Sequence, residues 1–286
     1  MRKPTYKTDL PVMLPVDRST QARLGDAFNF RLKVWHIFPV LLFCLFYSTF
    51  SHAAADTGQE SVFSTLLRWM PLLLQGFVFN LLISVMAMAI GTVVGAALGL
   101  GQISLNWWLA KFSWLVTQFF RNSPWLVLLF FAMFLLPFEF DVAGLTIPLP
   151  DWVKATIGLS LPVMANVSEI VRGAVKSLPS GQWEAAESLA YTRRQTLWLI
   201  ILPQCVKRML PPWMNLYSIL TMATVLASIV GVSEVMTLTG QVLSSEGGRP
   251  ELLAPFYSFI LLLFFIYCYP IACWTVRLEK KFAVVN

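Results

Sequence analysis

Long apolar runs alternate with short polar stretches over most of this chain. Six runs are long enough to predict membrane-spanning helices: residues 34–51, 73–101, 112–138, 153–178, 212–235 and 253–276. At about 1.5 Å per residue each crosses a hydrocarbon core of roughly 30 Å. The second run carries Ala87, Gly91, Gly95 and Gly99 at intervals of four, which puts four small residues on one helix face. That pattern favours close helix packing in lipid. The third run contains Arg121 and Asn122 ahead of Pro124, so Arg121 belongs near a membrane face or in a polar cavity. The fourth is interrupted by Pro162 and carries Glu169 and Arg172 three apart, an intrahelical ion pair or part of an inner gate. Thr221, Thr224 and Ser228 share one side of the fifth run.

The polar stretches organise the rest. Residues 1–33 read as a flexible cytoplasmic leader with seven basic residues. Residues 34–52 follow as an N-terminal transmembrane helix. A basic leader, an apolar run and small residues after it also describe a signal peptide; the length of both parts favours an uncleaved anchor. Asp56 to Met70 then lies outside, with an interfacial stretch beginning near Thr65. Residues 139–152 form an acidic, proline-rich outside loop, residues 236–252 a second outside loop, and residues 277–286 a cytoplasmic tail.

Residues 180–203 are the longest polar-rich stretch in the second half and read as two short helices. Ser180 can cap the first, and Thr192 with Gln195 has capping-box spacing for the second. Ala185, Ala186 and Leu189 are spaced to share a face that another protein can approach closely, flanked by Glu184 and Glu187. Taken alone, this is also what a solvated loop with amphipathic helices looks like.

Composition agrees with a multi-span membrane protein: 57% hydrophobic, 13% charged, mean hydropathy +0.67. The net charge of +6 is a topology signal. In the six-span arrangement Arg68, Lys154 and Arg249 are the outside basic residues, and the other eighteen of 21 lie inside, as the positive-inside rule requires with both ends in the cytoplasm. Nucleic-acid binding is thereby disfavoured. Cys44, Cys205, Cys268 and Cys273 have no metal-site spacing, and His36 and His52 are isolated. There is no phosphate loop, no HExxH and no GxSxG, so no catalytic, metal or ATP site is expected within the chain itself.

Glu184-Ala185-Ala186, three residues, Ala190, nine residues and Ile200-x-Leu202-Pro203 resembles the EAA motif of bacterial ABC importer permeases. The family has Gly where Ala190 stands, and Ala tolerates a left-handed turn poorly. FFRNSP and the run around Glu169 to Gly173 resemble two further family segments, as does LASIVGVSE, although Met222-Ala223 replaces a polar pair common in polar amino-acid permeases. The resemblance covers residues 72–276 and is to the histidine/glutamine permease type.

What the resemblance implies is an all-α fold of the MetI-like, type I ABC importer kind: a core of five transmembrane helices plus the N-terminal one, with residues 179–211 as the coupling loop. It implies a permease that moves a polar amino acid or similar small zwitterion across the bacterial inner membrane. It implies no cofactor of its own, since ATP is used by a partner. The partners are a cytoplasmic ABC ATPase dimer, a second permease subunit (same or related), a periplasmic substrate-binding protein and membrane lipid. Glu184, Ala185, Ala186, Leu189, Ala190 and Pro203 are the coupling residues expected. Arg121, Asn166, Ser168, Glu169, Arg172, Thr221 and Thr224 are the candidates for gate or pore, though Ser, Thr and Asn on spans also serve as interhelical hydrogen-bond groups. An ATP-independent channel or an ion-coupled transporter is the alternative; it would want intramembrane acids, and Glu169 and Glu234 lie near span ends instead.

Overall fold

The computed structural model describes residues 61–142 and 145–282. The leader, the N-terminal apolar run at residues 34–52 and Cys44 lie outside these residues, as does the end of the tail.

Helix α1, Val62–Gln102, is capped by Ser61, whose hydroxyl accepts from Ser64 N. It runs 41 residues, about 60 Å, through Pro71. The interfacial stretch and the second span expected separately are therefore one helix: Pro71 removes one donor, and the turns around it continue. Helices α2, Trp107–Arg121, and α3, Trp125–Leu135, replace the single third span. They meet at 105°. Residues 122–124 make the break, where Pro124 cannot continue α2. Asn122 Nδ2 donates to Gln118 O at 2.7 Å and Ser123 Oγ to Phe119 O at 2.7 Å, which satisfies carbonyls the break releases.

The expected acidic loop holds a two-stranded antiparallel hairpin, β1 Glu139–Val142 with β2 Leu145–Pro148, in register Glu139 to Pro148. Helix α4, Asp151–Lys176, follows. Lys154, on its first turns, is fully buried, 3.6 Å from the centre of the Phe138 ring and 3.4 Å from Asp151 Oδ1. Helix α5, Gly181–Ser188, precedes α6, Arg193–Gln195, which continues through a π-helical turn, Thr196–Ile201, into α7, Leu202–Ala223.

The fifth apolar run is not one helix. Alpha-helical geometry ends at Ala223, a 3-10 turn covers Thr224–Ser228, and α8, Val235–Ser245, occupies most of what the sequence reads as an outside loop. A buried polar cluster explains the break. Asn80 Nδ2 on α1 donates to Thr224 Oγ1 at 3.0 Å and to Glu234 Oε2 at 2.9 Å. Its Oδ1 accepts from Val235 N at 3.1 Å, and Glu234 Oε1 accepts from Thr237 N at 2.9 Å. Glu234 thus caps α8 while Asn80 holds the cap to α1. Helix α9, Pro250–Phe282, closes the described chain. Between α8 and α9 Glu246 accepts from Trp69 Nε1 at 2.7 Å and Arg68 Nη2 at 2.6 Å. The Trp69 bond, against a smaller opposing cost of burial, and then the Arg68 guanidinium hold its carboxyl below the usual carboxylate range.

Helices α1 and α9 are each long and apolar enough to cross a membrane, and the bent α2–α3 pair makes a third span if taken together. The packing centre lies between α1 and α4. Ala87, Gly91, Gly95 and Gly99 all face it, as their spacing predicts. A Cβ on Gly95 would lie 2.7 Å from Val167 Cβ and 3.0 Å from Met164 Cα, and one on Gly99 2.7 Å from Val171 Cβ. Only glycine lets these backbones approach so closely. Around the stripe Ile83, Leu159, Val163, Leu216 and Leu220 complete the main apolar core.

Gly95→Leu is expected to destabilise the purified chain by about 2 kcal/mol or more, because backbone atoms of α4 have to move. Gly240→Leu on α8, where a Cβ meets nothing within 4 Å, is expected to be nearly neutral. Thermal melts in detergent check the pair; equal losses would show that the stripe does not set the packing.

Candidate functional site

Two sites emerge, one on α5 and one between α4 and α7. Ser180 is not the cap of α5. It already has helical angles, φ −57° and ψ −33°, and its side chain makes no capping bond. Pro179 O accepts from Gln182 N at 3.2 Å, so the helical turn starts one residue earlier than its cap signal. The far end is a Schellman motif. Tyr191 N donates to Ala186 O at 3.1 Å and Ala190 N to Glu187 O at 2.9 Å, with Ala190 left-handed at φ 60°. Among the described residues it is the one non-glycine with positive φ. The capping box is present: Thr192 N donates to Gln195 Oε1 at 2.9 Å and Gln195 N to Thr192 Oγ1 at 3.4 Å.

Ala185, Ala186 and Leu189 do not share a face. Ala186 is buried, while Glu184, Ala185, Leu189 and Pro203 are exposed. Ala186 turns inward with Trp183, which packs on Ala174, Val175, Leu178, Ile201 and Cys205. Arg193 lies over the Trp183 ring at 5.3 Å, and Gln204 Nε2 on α7 donates to Gln182 Oε1 at 2.6 Å. Helix α5 is therefore seated on the ends of α4 and α7 and presents Glu184, Ala185 and Leu189 outward.

The second site is a cavity of about 590 Å³. Asn166, Glu169, Ile170, Gly173 and Ser177 wall it from α4, at spacings of three, four and seven that fall on one helical face. Arg208, Pro212, Asn215 and Ile219 do the same from α7, and Arg121 enters from the end of α2. Glu169 is the hub. Arg172 Nε donates to both its oxygens at 3.2 Å, and Nη2 makes a further short bond to Oε2. Arg121 Nη1 stands 3.5 Å from Oε2. Gln102 Nε2, at the end of α1, is 3.4 Å from Oε1, and Gln118 Nε2, on α2, is 3.5 Å away.

Of the gate or pore candidates, Arg121, Asn166, Glu169 and Arg172 line this cavity, and Ser168, Thr221 and Thr224 do not. Ser168 Oγ bonds Gln102 at 2.8 Å and Thr117 at 3.0 Å, Thr221 Oγ1 bonds Tyr217 O, and Thr224 belongs to the Asn80 cluster. These three are fully buried between helices. Arg208, Asn215 and Ser177 join the cavity beyond those candidates, and their helical spacing from Pro212 and Asn166 is the sequence signal for them.

A helical membrane protein with a short amphipathic helix seated on two core helices, and a charged cavity between those two, is the class that this arrangement defines. Residues 91–283 match the family described as binding-protein-dependent transport system inner membrane component. The probable amino-acid ABC transporter permease protein YckA of Bacillus subtilis (strain 168) is 35% identical over 78% of this chain and 96% of its own length. The glutamine transport system permease protein GlnP of Escherichia coli (strain K12) is 31% identical over 68% of this chain and 88% of its own. Among solved structures, one described as an amino acid ABC transporter with histidines superposes with TM-score 0.65 at 21% identity, covering 78% of this chain and 99% of that one. An inward-facing MetNI methionine ABC transporter superposes with TM-score 0.60 at 22% identity. The chain belongs to the family of binding-protein-dependent transport system inner membrane components. It is a multi-pass permease subunit of the inner membrane; the ATPase activity lies in a separate subunit, and no cofactor is expected in this one.

The half-buried, two-point Glu169–Arg172 pair is expected to couple by about 1–2 kcal/mol in a double-mutant cycle with Glu169→Gln and Arg172→Met, and the more exposed Arg121–Glu169 pair by less than about 1 kcal/mol. Melts of the four variants in each cycle decide this; the reverse order would mean that Arg121 is the principal partner.

Proposed function

We propose that this chain moves a polar amino acid or a similar small zwitterion, driven by ATP that a cytoplasmic ATPase dimer hydrolyses against its exposed α5. Glu184, Ala185, Ala186, Leu189, Ala190 and Pro203 form the coupling region. A second permease subunit, identical or related, completes the path, and a periplasmic binding protein delivers the solute. The first apolar run at residues 34–52 adds a sixth span to a core of five, with both ends in the cytoplasm. Arg121, Asn166, Glu169 and Arg172 form the gate.

The observation that carries this reading is the left-handed turn at Ala190. It falls at the place where the EAA motif has glycine, directly after an α5 whose Glu184 and Ala185 face outward. A Schellman end halts the helix after two turns and leaves a blunt, exposed knob. The amino-acid class is supported by relatives named as amino-acid and glutamine permeases.

Glu184→Lys is expected to reach the membrane in normal amount yet lose the ATPase on mild detergent purification and abolish uptake. Wild-type uptake by that variant would remove α5 from the coupling role. Ala190→Gly is expected to relieve roughly 1 kcal/mol of left-handed strain, partly offset by greater freedom in the unfolded chain. It should therefore melt at or above wild type and still transport; an inactive or unfolded glycine variant would show that the turn is not the family turn.

A further inference from the structure

The cavity between α4 and α7 holds three arginines, Arg121, Arg172 and Arg208, against one glutamate. Glu169 is already shared between Arg172 and Arg121. Among the described residues Arg208 forms no ion pair. Its Nη1 donates to Ser177 O at 2.8 Å and Ser177 Oγ at 2.9 Å, both neutral acceptors. A guanidinium carries five N–H donors in a planar fork that matches a carboxylate. Arg208 therefore keeps its Nε and Nη2 donors for another group. Asn166 spends Nδ2 on Pro162 O at 2.8 Å, and its Oδ1 has no partner among the described residues, which leaves an acceptor for an ammonium group on the same wall. The volume, about 590 Å³, suits a small-molecule ligand.

We infer that this cavity takes a solute of net negative charge, an amino acid with an acidic side chain or a dicarboxylate of similar size, and that Arg208 binds its second carboxylate. Three arginines against one glutamate leave an excess of two positive charges along the cavity, which a zwitterion of zero net charge does not offset. A cationic amino acid brings a like charge into a wall whose single acid is already neutralised twice over. The inference deepens the proposed transport reading, because it assumes that the cavity lies on the solute path. It adds Arg208 and its role to the gate residues above.

The test uses the permease assembled with its ATPase in nanodiscs, without the binding protein, so that the binding protein's own selectivity does not enter. Equilibrium binding is measured with radiolabelled L-glutamate, L-glutamine and L-arginine. L-glutamate should bind at least about tenfold more tightly than L-glutamine, the worth of one charge-assisted hydrogen-bonded pair, and L-arginine should bind more weakly still. Arg208→Met should bring the glutamate and glutamine affinities to within about threefold, and Arg208→Lys, which keeps the charge, should retain most of the difference. L-arginine binding as tightly as L-glutamate, an unchanged ratio in Arg208→Met, or no binding of any of the three by an intact complex would each overturn the inference. If no ATPase accompanies the chain at all, the transport reading falls instead, and this one with it.

Discussion

Everything in this structure depends on how closely α1 and α4 approach. Between two helices in lipid there is little hydrophobic drive to associate, because the surrounding tails are as apolar as leucine. Dispersion at short range and satisfied polar groups have to do it. The stripe of Ala87, Gly91, Gly95 and Gly99 removes the side chains that would hold the axes apart, and Val163, Val167 and Val171 fill the grooves it leaves. The register this sets is what brings Gln102, one turn past the last of these glycines, within 2.8 Å of Ser168 Oγ and 3.4 Å of Glu169 Oε1. Slide one helix by a turn and the glutamate loses its contact with α1. The polar hub is thus positioned by an apolar packing rule.

The bend between α2 and α3 is the second constraint, and it follows from a charge. An arginine inside a straight span would sit in hydrocarbon at a cost of a few kcal/mol. Ending α2 at Arg121 and turning through 105° places the guanidinium in the cavity beside Glu169 instead. The break exposes carbonyls, and Asn122 and Ser123 are the residues that satisfy them. The segment resembles the family's Phe-Arg-Gly-Thr-Pro with Asn and Ser substituted, and each substituted side chain has a structural task here.

Local spacing made part of this legible in the sequence. The glycine stripe, the Glu169–Arg172 pair and the Thr192–Gln195 capping box are periodicities of three or four within one helix, and all are present in the structure. What depended on a distant partner was not legible. Hydropathy reads residues 212–235 as one span, but Asn80, more than a hundred residues away, stabilises the break at Thr224 and the cap at Glu234. The same holds for the continuous α1 through Pro71, whose first turns are tied to Glu246 by Arg68 and Trp69. Ser180 had the right residue type for a cap, yet Pro179 began the turn before it. At the cavity, sequence grouped Ser168, Thr221 and Thr224 with Glu169 because all are polar; the structure separates those that bond across helix contacts from those that face open space. That Arg208 lines the cavity is not legible in the sequence, because the wall it bonds to is on another helix.

The same contacts hold the walls of the cavity with unequal firmness. Helix α5 touches both long walls at once: Trp183 packs on the end of α4, and Gln182 bonds Gln204 on α7. Arg208 on α7 bonds Ser177 at the end of α4, so these two walls are joined a second time. In the proposed coupling role, a push on α5 would be passed to α4 and α7 together, because both hold it and each other. The third wall is the α2 end, and its Arg121 guanidinium reaches Glu169 at 3.5 Å, the longest of the ion pairs described here, from a side chain 46% exposed. Such a contact is worth little and breaks readily. Of the proposed gate's arginines, the one loosely held, Arg121, thus sits at a break in the chain, while Arg172 and Arg208 are held by bonds of hydrogen-bond length on α4 and α7.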